Sequence, residues 1–211
     1  PPQKYLERYA DVLVNFALGL GEGVKAGDVV RLSANESAKP LFIELRKAIL
    51  RAGGHILSNY QPDDDEVFSP SKDFFDCAYE HQLAFFPKKY FEGLVAQVDH
   101  SLVIISEQNK RALEGVDPKK IMQRGIAQKP LRDWFNEKEK KGKFSWSLAL
   151  YGTAAMAAEA GLTERQYWKQ IIKACFLDDE DPVARWREVI EENERVRAKL
   201  DRLDIERVHV E

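Results

Sequence analysis

Val29-Val-Arg-Leu-Ser33, then Leu41, Leu45, Ala48 and Ile49 at helical spacing, then Gly53-Gly54 and His55-Ile-Leu-Ser-Asn-Tyr60: this run decides the fold. The first segment has the length and β-branched content of a strand. The second puts its apolar residues on one face of a helix, and the glycine pair ends that helix before a second strand begins. Strand, helix and strand in such close succession form a βαβ unit. Its crossover returns the chain to the starting edge, so the two strands lie parallel.

Upstream, Tyr5, Tyr9, Val12 or Leu13, Phe16 and Leu20 recur at helical spacing. They predict an opening amphipathic helix with these residues on its buried face, closed by Gly19, Gly21 and Gly23 and followed by a turn over Val24–Asp28. Downstream, the polar and acidic stretch 61–71 reads as a loop, and 74–86 and 88–98 as helices. Ser101-Leu-Val-Ile-Ile-Ser106 is a continuous apolar run, the mark of a strand buried on both faces. Asp117-Pro118 supplies an N-cap and an N1 proline for a helix that should run to about Lys140, interrupted before Pro130. A turn over 141–143 leads to a fourth strand, Phe144–Tyr151.

Beyond Tyr151 the pattern is helical. Thr163-Glu-Arg-Gln166 is a capping box and Asp181-Pro182 opens a last helix. On it Val183, Trp186, Ile190, Val196, Leu200 and Leu203 form one apolar stripe, expected to be buried, with Glu191, Glu192, Glu194, Arg195 and Lys199 on the other face. Ile205–Val210 then alternates as a half-buried strand does. The expected class is α/β: a small, mostly parallel sheet of about four strands flanked by helices, with a helical C-terminal part.

Hydrophobic residues at 44% and charged residues at 32% describe an ordinary globular chain able to bury its own core. A net charge of -3 gives no electrostatic reason to bind nucleic acid or an anionic membrane. The charged N-terminus lacks the apolar core of a signal peptide, and no apolar run approaches a membrane span. Cys77 and Cys175 form no CxxC and read as free thiols in a reducing, cytoplasmic setting.

Candidate chemistry is sparse. Gly19-Leu-Gly-Glu-Gly23 follows a helix and precedes a strand, the reverse of a phosphate-binding loop, so it reads as helix termination. Asp63-Asp-Asp-Glu66 offers hard oxygen donors, but lacks the spacing and glycine of a calcium loop and reads as a solvated loop. His55, His81, His100 and His209 belong to no zinc motif, and no serine lies in a Gly-x-Ser-x-Gly elbow. In parallel sheets ligands gather at the carboxyl ends of strands. Those ends carry Asn35, Glu36, Asn59, Glu107, Asn109, Tyr151 and Thr153, which either line a cleft or act as caps and turn formers.

The stretch Tyr151-Gly-Thr-Ala-Ala-Met-Ala-Ala-Glu-Ala-Gly-Leu162 and the stretch from Asp178 to Trp186 resemble the N-terminal half of the M29 family of metal-dependent aminopeptidases. The likeness extends to Val24-Lys-Ala-Gly-Asp28, to Glu107-Gln-Asn-Lys-Arg-Ala-Leu-Glu-Gly-Val-Asp-Pro118 and to Pro130-Leu-Arg132. Gly152 departs from it, since many relatives carry proline there. The resemblance implies that residues 1–204 are an N-terminal α/β domain and that 205–211 begin a strand or linker toward a catalytic domain outside this chain. It further implies a cytoplasmic homodimer acting on peptides through two divalent metal ions, cobalt, zinc or similar. Their Glu, His and Asp ligands have no matching positions here, so this chain alone is expected to be inactive. Two rivals stand beside it: a stand-alone α/β binding or dimerisation module, and a hydrolase using the Asp63–Glu66 carboxylates.

Overall fold

The computed structural model describes residues 1–204 and 206–209. Its frame is a four-stranded sheet of β1 (Val29–Asn35), β2 (His55–Gln61), β3 (His100–Ile105) and β4 (Ser145–Leu150), in the order β2-β1-β3-β4. Every neighbouring pair is parallel. The crossovers are helical: α2 (Lys39–Arg51) joins β1 to β2, α3 (Pro70–Cys77), α4 (Glu80–Leu83) and α5 (Lys88–Gln97) join β2 to β3, and α6 (Pro118–Lys140) joins β3 to β4. The chain opens with α1 (Gln3–Val12) and closes with α7 (Ala154–Glu159), α8 (Glu164–Ala174) and α9 (Pro182–Leu200).

The two faces of the sheet differ. Val30, Leu32, Leu102, Ile104 and Ala149 point into the main core, where they meet Leu41, Leu45 and Ile49 of α2, Tyr9 of α1 and Trp168 of α8. The alternate residues face the α3–α6 side, which has only a small core of its own around Phe75, Leu83 and Val116. Register sets Leu57, Arg31, Ser101 and Trp146 in one row across that second face. There Trp146 and Leu148 remain about half exposed. No helix among the described residues is long and apolar enough to cross a membrane.

Four sequence expectations are corrected. After α1 the chain makes one wide turn over Leu13–Ala17, and Leu20 is 87% exposed with φ of 58°, outside the buried face assigned to it. Gly19, Gly21 and Gly23 share that left-handed conformation, and the reversal lets the Val24 amide donate to Val14 O at 2.8 Å. The 74–86 helix breaks at Ala78, whose extended backbone separates α3 from the single turn of α4. By contrast, α6 runs unbroken through Pro130. Pro130 leaves the Ile126 carbonyl without its helical donor, and Ile126 is exposed, so water can supply the missing partner.

The fourth correction concerns α9. Val183 is buried and Trp186 half-buried, yet Ile190, Val196, Leu200 and Leu203 stand 45–59% exposed. Helical periodicity identifies a face but not whether anything covers it. The strand or linker expected over 205–211 falls partly outside the described residues, at Ile205, Val210 and Glu211; residues 206–209 are exposed and have no regular structure.

Candidate functional site

The side chains named from sequence lie at the carboxyl edge of the sheet, in varied surroundings. The Ser37 amide donates to Asp63 Oδ2 at 2.8 Å and its hydroxyl to Ser106 O at 2.9 Å, which ties the ends of β1, β2 and β3 together. Thr153 caps α7 by accepting from the Met156 amide, and its hydroxyl donates to Glu107 O. Asn59 Nδ2 reaches Ser33 Oγ at 3.4 Å. Asn109 Oδ1 accepts from the Arg111 amide, and Tyr151 packs edge-on against Trp168 at 5.0 Å. Asn35 borders a surface cleft with Gln61, Asp64 and Phe74, whereas Glu36 and Glu107 are exposed and reach Lys39 and Lys110. The buried Ser106 Oγ finds no partner among the described residues. Turn and cap chemistry accounts for two of the seven, Asn109 and Thr153.

The acidic run is committed in the same way. Asp64 accepts from the Ser71 amide at 2.9 Å at the start of α3, and Asp65 accepts from the amides of Val67 and Phe68 at 2.7 Å. Asp63 serves Ser37. Three consecutive carboxylates thus hold three separate stretches of backbone. Among the described residues, no group of three His, Cys, Asp or Glu side chains is placed to hold a metal ion.

The opposite edge holds a constellation that sequence reading missed. His100 is the first residue of β3, Ser145 the first of β4, and Asp28 immediately precedes β1. Parallel register sets His100 level with Ser145. Its Nδ1 lies 2.8 Å from Ser145 Oγ, and its Nε2 lies 2.9 Å from Asp28 Oδ2. With Asp28 ionised, Nε2–H donates to the carboxylate, and Nδ1 accepts from the serine hydroxyl. Partial burial works to raise the Asp28 pKa. The hydrogen bond from His100 and the Lys25 amide outweigh it and hold the carboxyl below its ordinary range.

This Ser–His–Asp order resembles a nucleophile relay, but its surroundings serve a different purpose. Ser145 is only 7% exposed, and its Oγ already accepts from the Gly19 amide at 2.9 Å. The Ser145 amide donates to Asp99 O. The amides of Gly19 and Ser145, which an oxyanion would need, are therefore both engaged. We read the three residues as a clamp that fastens the glycine loop to β1, β3 and β4. Sequence could have offered only one signal, a polar residue at the start of each strand.

A sequence profile described as Thermophilic metalloprotease (M29) matches residues 2–211. Among curated proteins, Aminopeptidase 2 of Geobacillus stearothermophilus is 24% identical, over 96% of this chain and 48% of that protein. Among solved structures, wild-type AmpT from Thermus thermophilus superposes with a TM-score of 0.69 at 20% identity, covering 88% of this chain and 45% of that one. The chain therefore spans about half the length of the curated relative it matches.

Proposed function

The chain belongs to the M29 family of thermophilic metalloproteases, and from that premise we propose that it is the non-catalytic N-terminal domain of a metal-dependent aminopeptidase. Its work in that enzyme is contact and enclosure: packing against the catalytic half or a second subunit, and helping to wall off the cavity that peptides enter. The parent enzyme, in this reading, is a cytoplasmic homodimer, and the free thiols of Cys77 and Cys175 suit a reducing compartment.

The observation that carries the reading is the apolar stripe of α9. Ile190, Val196 and Leu200 stand in water on a helix whose residues from Glu191 to Leu200 are all exposed, and Leu203 just beyond it is exposed too. A stretch of that length is marginal as a free helix, and a line of large apolar side chains calls for cover. The relative it matches is about twice as long, so that protein has as much chain again for such a stripe to pack on.

The family description implies a metal, and the donors here do not fit one. The four histidines are scattered, and the acidic run is divided among three turns. No catalytic step is assigned to this chain. The test is to assay the purified 211-residue protein with leucine p-nitroanilide, with and without added cobalt or zinc, and to measure bound metal after dialysis. We expect neither turnover nor stoichiometric metal, and both from the longer gene product. Metal-dependent turnover by the 211-residue chain would sink the reading and revive the hydrolase alternative.

A further inference from the structure

On the second face of the sheet, α6 stands away from the strands and leaves a groove of about 480 Å³. Its floor is the row Arg31, Ser101 and Trp146, with Val103 beside it, and its helical wall includes Phe135. Phe135 packs on Phe144 at 4.7 Å, which closes one end with aromatic surface. Size and lining suit a small amphipathic molecule.

Arg31 is the residue that asks for an explanation. It lies mid-strand in β1 and is half-buried. Among the described residues its guanidinium forms no hydrogen bond and no salt bridge, and the phenol of Tyr90 is its electrostatic neighbour. Partial burial pushes its pKa down, since no carboxylate lies against the guanidinium to offset the lost hydration. A guanidinium presents a planar fork of donors that matches a carboxylate and is always charged. The groove contains one acid, Glu139, whose Oε1 accepts from Trp146 Nε1 at 3.0 Å and which forms no ion pair with Arg31. Lys129 and Arg132 stand at the rim and add to the positive charge.

We propose that this groove binds an organic carboxylate carrying an apolar chain, with the carboxylate on Arg31 and the chain against Val103, Phe135, Phe144 and Trp146. The site is independent of the peptidase reading, because it uses residues of this domain alone. Two sources share the chemistry: the C-terminal carboxylate of an apolar amino acid or peptide, and a medium-chain fatty acid.

The test is titration calorimetry of the 211-residue chain with N-acetyl-leucine and with decanoate, each set against its neutral twin, N-acetyl-leucinamide or decanol. At least one acid should bind at millimolar concentration or below, at least tenfold more tightly than its twin, and which acid does so identifies the source. Arg31→Gln should weaken that binding at least tenfold, and Lys129→Gln less than threefold. The proposal is overturned if neither acid binds, if the neutral twins bind as tightly, or if Arg31→Gln binds like the parent. The comparison of acid with twin uses the unaltered protein, so it stands even if Arg31→Gln fails to fold.

Discussion

His100 Nε2 lies 2.9 Å from Asp28 Oδ2, and that bond ties the first residue of β3 to the turn that launches β1. Asp28 is titrated to a lower pKa in the fold than in the open chain. A depressed carboxyl contributes stability that is fully present above its ordinary pKa of 3.8 and is lost as pH falls through the lower folded value. Asp28→Asn should destabilise the protein by about 1.5–3 kcal/mol at pH 7, the range for a charge-assisted hydrogen bond. The gap between variant and parent in urea melts should shrink below pH 4. A gap unchanged at pH 3 would show that the carboxylate's charge plays no part.

The glycine loop invites a paired comparison. A Cβ on Gly23 would stand 2.7 Å from the carbonyl of Asn15, at a φ of 77°, whereas one on Gly27, at 93°, meets nothing within 4 Å. Gly27→Ala bears only the left-handed backbone penalty, about 1–2 kcal/mol. Gly23→Ala adds a clash with backbone that cannot step aside, so it should exceed Gly27→Ala by about 2 kcal/mol or more. Equal melting temperatures for the two variants would refute the close approach.

Trp186 stacks on Phe16 at 6.2 Å and meets Phe176 edge-on at 5.2 Å, while Ile190, one turn along the same helix, is 47% exposed. Trp186→Ala should cost about 3 kcal/mol, at the lower end for a large aromatic. Ile190→Ala and Leu200→Ala should each stay within about 0.5 kcal/mol in this chain. Losses of core size at Ile190 or Leu200 in thermal melts would mean that the stripe is already covered.

Gly152 accepts a hydrogen bond from Trp168 Nε1 at 2.9 Å through its carbonyl, and a Cβ there would come within 2.8 Å of the Tyr167 ring. The absence of a Cβ at Gly152 leaves room for the Tyr167 ring of α8 beside the end of β4. Gly152→Ala should destabilise by about 1–3 kcal/mol through overpacking. Adding Tyr167→Ala should recover part of that loss; a double variant whose losses simply add would show that the ring is not the obstacle.

The α/β class, the four strands and the caps at Asp117, Thr163 and Asp181 were legible because each rests on local chemistry. Period, capping side chains and glycine placement act within a few residues and survive any tertiary context. The errors fell where neighbours decide. Leu20 has the spacing of a buried residue, but the glycines around it turn the chain outward. Pro130 breaks a helix on average, and α6 continues because its freed carbonyl sits at an exposed surface.

What the sequence determined by itself is the order of elements, the parallel sheet and the family likeness, because these follow from short-range patterns carried by the residues themselves. Tertiary structure alone decided which polar residues meet. Register set His100 of β3 level with Ser145 of β4 and brought both within reach of Asp28, although many residues separate them in the chain. It likewise left Arg31 facing a groove whose one acid, Glu139, bonds Trp146 and not the guanidinium. Such pairings depend on strand register and helix placement, which no local pattern encodes.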